Sequence, residues 1–315
     1  MCALLLCCGV SVAHSLTTDE VQSGSVKVPI RAGFVSDTSI VIDLPNAARP
    51  SALIALSSQF GSAILSQRVT LSELSSAKAN EQLSNRRLIL ALGSQACVHA
   101  AEFAPSKVVV CALIYRQSFN ALVCPNECPG VHAIFMDQPL VRQARLAQLL
   151  YPELQDIAVL RSSTSSEYAY EQSSLVSHVE YSSVLPISRQ VSDALQESDA
   201  LLAVADSHLY NRDSLRSILL TAYGGDKPLI GFGHTYVRAG ALLSAYSTPA
   251  HILNQADALL SNLSQSLESA KSASTVHAPL QFSVAINASV ARSLGFSQRR
   301  RFAESQTLSD EDLEP

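Results

Sequence analysis

Short, unbroken apolar runs recur along the chain and mark its strands. They are Ser39–Leu44, Leu88–Leu92, Val108–Ile114, Ala133–Phe135, Ile157–Leu160, Leu201–Val204 and Leu229–Gly231. An alternating run would leave one face in water. Continuous runs instead predict strands buried on both faces, as in a parallel sheet covered by helices. Between them lie the helical stretches Gln95–Phe103, Leu140–Leu150, Gln190–Glu197, Asp213–Ala222 and Pro249–Ser269. The stretch Leu140–Leu150 is amphipathic, with Arg142 and Arg145 placed on its polar face. Asp213 reads as the N-cap of its helix. Strand–helix alternation over most of the chain predicts an α/β fold with parallel sheets.

The alternation divides near Phe135-Met136-Asp137, with several β–α units on each side. No internal sequence repeat accompanies the division. Two such halves place a cleft at the carboxyl ends of their strands. Residues Leu16 to Asp37 are polar and irregular. At the other end, Gln298-Arg299-Arg300-Arg301 is basic and Ser309–Pro315 is acidic. Residues 297–315 therefore read as a solvated, disordered tail.

Composition narrows the function classes. The chain has 315 residues, 47% of them hydrophobic, which is ample for a large core. Charged residues are 16% and the net charge is −5, so no basic field favours nucleic acid. The opening MCALLLCCGVSVAHS holds an apolar run, Ala3 to Ala13, too short to span a bilayer. Small residues at Ala13-His14-Ser15 follow it, and no Lys or Arg precedes it. Residues 1–15 thus read as a secretory signal that exports the protein, the alternative being the apolar N-terminus of a cytoplasmic protein. Cys97 and Cys111 read as buried small hydrophobes. Cys124-Pro-Asn-Glu-Cys128 is a tight loop suited to a disulfide in an oxidising compartment. It lacks a second ligand pair, so no metal is expected there.

The candidate chemistry lies at strand ends. In Leu92-Gly93-Ser94-Gln95 a strand ends and a helix starts at once. Ser94, Gln95 and the free N–H groups of that helix form an anion site, although Ser94 also suits a plain N-cap. A hydrolase elbow would need glycines two before and two after the serine, where Leu92 and Ala96 stand. Asp137 and Gln138 follow one strand and Asp206 another. Each carboxylate suits a ligand ammonium or, equally, a turn. Tyr210 and Tyr236 offer an apolar face with a polar tip. His208 and His234 lie in loops beside no obvious nucleophile. No Walker motif is present, and Gly231-Phe232-Gly233-His234 lacks the third glycine of a dinucleotide fingerprint. No cofactor and no enzymatic activity are expected.

The stretch Ser214–Phe296 resembles the substrate-binding proteins of bacterial ABC transporters. The resemblance is carried by Pro228–Phe232, Tyr236–Leu242, Asn254–Ala256, Phe282–Asn287 and Ala291–Gly295. Upstream, Ala91–Ala96 and the AVADSHLYN stretch, Ala203–Asn211, look like the ligand-site turns of the two lobes. The resemblance implies a two-lobed periplasmic-binding fold of the first type, each lobe a parallel sheet flanked by helices. The first lobe is expected from residues 38–136 plus 247–281, and the second from residues 137–246 plus 282–296. It further implies a monomer that closes on a small-molecule ligand and docks on a permease subunit. Carried over residue by residue, Ser94 and Gln95 would hold a ligand carboxylate and Asp206 an ammonium. The first lobe departs from the family: Ser39–Leu44 and Pro50–Leu65 must serve as its opening strand and helix, interrupted by Pro45, Arg49 and Pro50. A binding fold kept for sensing, without import, is the alternative that this departure raises.

Overall fold

The computed structural model describes residues 38–42, 49–60, 68–70, 86–103, 106–162, 174–302 and 306–313. The expected signal, residues 1–15, lies outside them. Twelve strands are seen among the described residues. The first sheet holds β1 (Thr38–Ile42), β2 (Arg68–Thr70), β3 (Leu88–Leu92), β4 (Val108–Ile114), β5 (Val131–Phe135) and β11 (Val276–His277). Their spatial order is β11-β5-β4-β3-β1-β2, and every pairing is parallel. The second sheet holds β6 (Ile157–Arg161), β7 (Val176–Glu180), β8 (Ala200–Leu202), β9 (Leu229–Gly231), β10 (Leu243–Tyr246) and β12 (Ser283–Ile286). Its order is β12-β10-β9-β8-β6-β7, and only the β10–β12 pairing is antiparallel.

The unbroken apolar runs follow from burial on both faces. In β3 and β4, Leu88, Leu90, Leu92, Val108, Val110 and Ala112 pack against Ile252, Leu253, Ala256 and Leu260 of the helix Pro249–Gln265. The intervening Ile89, Ala91, Val109 and Cys111 pack on the other side with Ala96, Cys97, Ala100 and Phe119. A period of two sends successive side chains to opposite faces, and both faces here are covered. Cys97 and Cys111 are buried and reduced, as expected. Cys124 and Cys128 are joined as a disulfide.

The chain passes between the sheets three times: after β5, after β10 and after β11. One residue from each passage joins a single hydrogen-bonded chain. Gln138 Nε2 donates to Ser247 Oγ at 2.8 Å, and Ser247 Oγ donates to the Gln281 carbonyl at 2.6 Å. No helix among the described residues is long and apolar enough to cross a membrane.

Three local expectations differ from the structure. Arg142 is buried rather than on a solvated face. Its helix carries apolar residues nearly all round, because both the second sheet and the carboxyl end of the chain pack on it. The expected solvated tail is docked from Gln306 to Leu313: Leu308 bridges Phe282 through two backbone hydrogen bonds, and Leu308 and Leu313 are buried. Its acidic character reflects a specific pairing of Asp310 with Arg142. Finally, the helix Arg212–Gly224 is capped by Asn211, not by Asp213. The Asn211 side chain accepts from the N–H groups of Asp213 and Ser214, and Ser214 completes a capping box.

Candidate functional site

Parallel strands end along one edge of each sheet, so the loops after β3, β4 and β5 share an edge, as do those after β6, β8 and β9. The two edges meet at aromatic rings. Tyr115, which follows β4, packs edge-on against Phe232, which follows β9, with ring centroids 6.2 Å apart. Phe232 in turn lies 4.3 Å from Tyr236. Tyr115 remains 40% exposed, so the contact is open to solvent rather than part of a closed core.

A backbone irregularity aims Tyr115. The pairing of β4 with β5 slips between Cys111 and Ile114, and Leu113 within the slip has φ 55°. A left-handed leucine costs roughly 1–2 kcal/mol. Bulges of this kind redirect the chain beside functional sites. Behind the ring, Asp137 Oδ2 accepts the Arg116 backbone N–H at 2.6 Å and is itself buried. Although Tyr115 is partly exposed, its hydroxyl is buried, and that burial, reinforced by the Asp137 charge, pushes the hydroxyl up to about 12. It therefore stays a neutral hydrogen-bond donor at any physiological pH.

The sequence-selected residues divide into three groups. Ser94 is half-buried and Gln95 exposed at the start of the helix Ser94–Ala101, where Gly93 (φ 96°) makes the turn from β3. Gly93 takes up a backbone conformation that a side chain would strain. The Ser94 side chain does not cap the helix, so the first N–H groups are left to the cleft edge. Tyr236 and Asp137 also lie at the site.

Gln138 does not serve the cleft. Besides Ser247, it meets Arg142, whose Nη1 donates to Gln138 Oε1 at 2.8 Å. Both ends of its amide are used within the inter-sheet passages. Tyr210 is buried within the second sheet's core, and its hydroxyl donates to the Leu160 carbonyl at 3.0 Å. Burial, then the Asp206 charge, raises its pKa far above the ordinary range. Its backbone carbonyl accepts the Tyr236 hydroxyl at 2.9 Å, so Tyr210 supports the cleft from behind.

Asp206 departs most from expectation. It is 1% exposed. One carboxylate oxygen accepts both the hydroxyl and the backbone N–H of Ser162, and the other accepts the His208 backbone N–H at 3.0 Å. Those bonds tie the loop after β8 to the end of β6. A carboxylate so occupied has little left for a ligand ammonium.

Two residues that sequence reading missed complete the site. Tyr115 lies in an unremarkable stretch, and the Gly231–His234 turn drew notice for its glycines rather than for Phe232, so only the meeting of the two rings across the edges reveals them. The one available signal was position, each falling directly after a strand. Among the described residues, no cluster of His, Cys, Asp and Glu is arranged to hold a metal ion.

No protein-family model matches the chain, and no curated protein matches it by sequence. Solved structures match it in shape. A ligand-free, open substrate-binding protein with adhesive properties from Clostridium difficile aligns over 85% of this chain and 98% of its own, with a TM-score of 0.59 and 14% identity. A conserved domain protein from Vibrio cholerae aligns over 84% of this chain and 95% of its own, with a TM-score of 0.51 and 14% identity. An ABC domain from Streptococcus pneumoniae, solved in complex with L-Trp, aligns over 83% of this chain and 95% of its own, with a TM-score of 0.50 and 14% identity. The chain has the same α/β, two-sheet fold as these proteins, the first type of periplasmic-binding fold.

Proposed function

We propose that the protein is the periplasmic solute-binding component of an ABC-type importer, holding a small carboxylate, such as an amino acid, between its lobes. The observation that carries this reading is the meeting of Tyr115 and Phe232 across the carboxyl edges of two parallel sheets. Ligands bind outside the carboxyl ends of strands in α/β folds. Here two such edges face one another and are joined by three passages, the arrangement a closing hinge requires. The L-Trp bound to the pneumococcal structure supports an amino acid as the ligand class.

On this reading the protein does no chemistry on its cargo. The ligand favours the closed form, the closed form docks on a membrane permease, and a separate subunit hydrolyses ATP. Only a ligand that binds the closed form more tightly can drive closure.

The test is a thermal-shift screen of amino acids, small carboxylates and nucleosides, followed by small-angle scattering with any hit. Stabilisation by one class, with a smaller radius of gyration on binding, supports a closing cleft. Silence across the panel favours a fold kept for sensing or interaction. Co-purification with a permease separates import from binding alone.

A further inference from the structure

With Asp206 occupied inside the second lobe, a charged group left without a hydrogen-bond partner among the described residues at that lobe's cleft edge is Arg161. It is the last residue of β6, next to Ser162, whose backbone and hydroxyl both bind Asp206. Its own backbone is fixed, because the Tyr181 N–H donates to the Arg161 carbonyl at 2.7 Å. The side chain is half-buried, and its Nε is shielded from solvent without a hydrogen-bond partner among the described residues. Glu180, paired with it in register on β7, makes no ion pair with it.

Another guanidinium of this lobe shows what a structural arginine looks like here. Arg142 satisfies Nε, Nη1 and Nη2 together, on Asp310, Gln138 and the Pro279 carbonyl. A shielded guanidinium nitrogen left without an acceptor is disfavoured unless something else supplies one.

We infer that Arg161 is the anion-recognition residue of the second lobe, and that the ligand presents a carboxylate or similar oxyanion to it. The inference rests on the cleft-binding reading above and reverses the charge expected on this lobe. Arg161 sits at the end of β6, and Phe232 follows β9 two strands further along the same edge. The lobe therefore offers a cation beside an aromatic wall. A guanidinium fork suits a planar oxyanion through paired hydrogen bonds.

The experiment uses the full chain, Arg161→Gln and Arg161→Lys, and probe pairs differing only in the anion. L-tryptophan with L-tryptophanamide and benzoate with benzamide are such pairs, and inorganic phosphate is added alone. Thermal shift and titration calorimetry are the readouts. The expected result is binding by anionic members only, weakened about tenfold or more in Arg161→Gln and less in Arg161→Lys. Ligand-free Arg161→Gln should melt no lower than the parent, since the replaced group has no partner to lose. A markedly lower ligand-free melting temperature would make Arg161 structural and overturn the inference. Equal binding of amides and carboxylates, unchanged in Arg161→Gln, would overturn it while leaving the cleft a binding site. If no probe and no wider screening compound shifts the parent, the cleft-binding reading falls and takes this inference with it.

Discussion

Arg142 holds Asp310 with both prongs of its guanidinium, Nε to Oδ1 at 2.6 Å and Nη2 to Oδ2 at 2.7 Å. The arginine side chain is 4% exposed and the aspartate 65%. The pair joins the first helix after the β5 passage to the carboxyl end of the chain, 168 residues away. Because Arg142 also holds Gln138 and the Pro279 carbonyl, the end of the chain is bound into the passages between the lobes.

Cutting this pair should loosen the carboxyl end without unfolding the lobes. Asp310→Ala is expected to destabilise by about 1–3 kcal/mol, the cost of leaving a shielded donor less satisfied. The hydrogen bond from Arg142 holds the Asp310 carboxyl below its ordinary value of 3.8. Its contribution is therefore full above that value and lost as pH falls through the lowered one. Urea unfolding at pH 7 and pH 3 checks both statements: the difference between parent and Asp310→Ala should shrink at the lower pH.

Three histidines should make the protein acid-sensitive. Burial lowers the pKa of His132, His251 and His277 below 6.5. A histidine kept neutral on folding binds its proton more readily when unfolded. Stability is then fully present above about pH 6.5 and falls as pH drops through the lowered folded values. His132 is central, with Nε2 at 3.1 Å from the Ala270 carbonyl and Nδ1 at 2.7 Å from Thr275 Oγ1. Melting temperatures from pH 7.5 to pH 5 should decline, and His132→Asn should flatten that decline while lowering stability throughout.

Gly231 leaves room for the cleft tyrosine. A Cβ built there would stand 2.4 Å from the Tyr236 Cβ. Gly231→Ala should displace Tyr236 and cost about 1–3 kcal/mol, as overpacking does. Denaturant unfolding measures the cost. Weaker ligand binding in the same variant would show that the displaced ring belongs to the cleft.

Tyr115 and Phe232 should be energetically coupled. Edge-on aromatic pairs contribute roughly 0.5–1.5 kcal/mol beyond burial. A double-mutant cycle with Tyr115→Ala and Phe232→Ala should return coupling of that size in ligand affinity, measured by calorimetry. Zero coupling would mean that the two rings act separately.

Much of the fold was legible because its causes are local. The doubly buried strands β3, β4 and β6 announce themselves as unbroken apolar runs, and the helices between them follow the ordinary period. β2, β7, β10, β11 and β12 were not picked out. They are short, and β7 alternates exposed with buried positions at a sheet edge, so no continuous run marks it.

The residue chemistry was harder to read, for one physical reason. Sequence alone establishes that a carboxylate follows β8 and that an arginine ends β6. Whether either is open to a ligand depends on which partners reach it from elsewhere in the fold. Ser162 lies 44 residues from Asp206 in sequence, yet its hydroxyl and N–H occupy that carboxylate, while the neighbouring Arg161 Nε is left unmatched among the described residues. Likewise, the periodicity of Leu140–Leu150 placed Arg142 on a solvated face until Asp310 arrived from the far end of the chain. Hydrophobic burial is set largely by pattern along the chain, whereas the satisfaction of polar groups is set by tertiary contacts, and the cleft is built from the second kind.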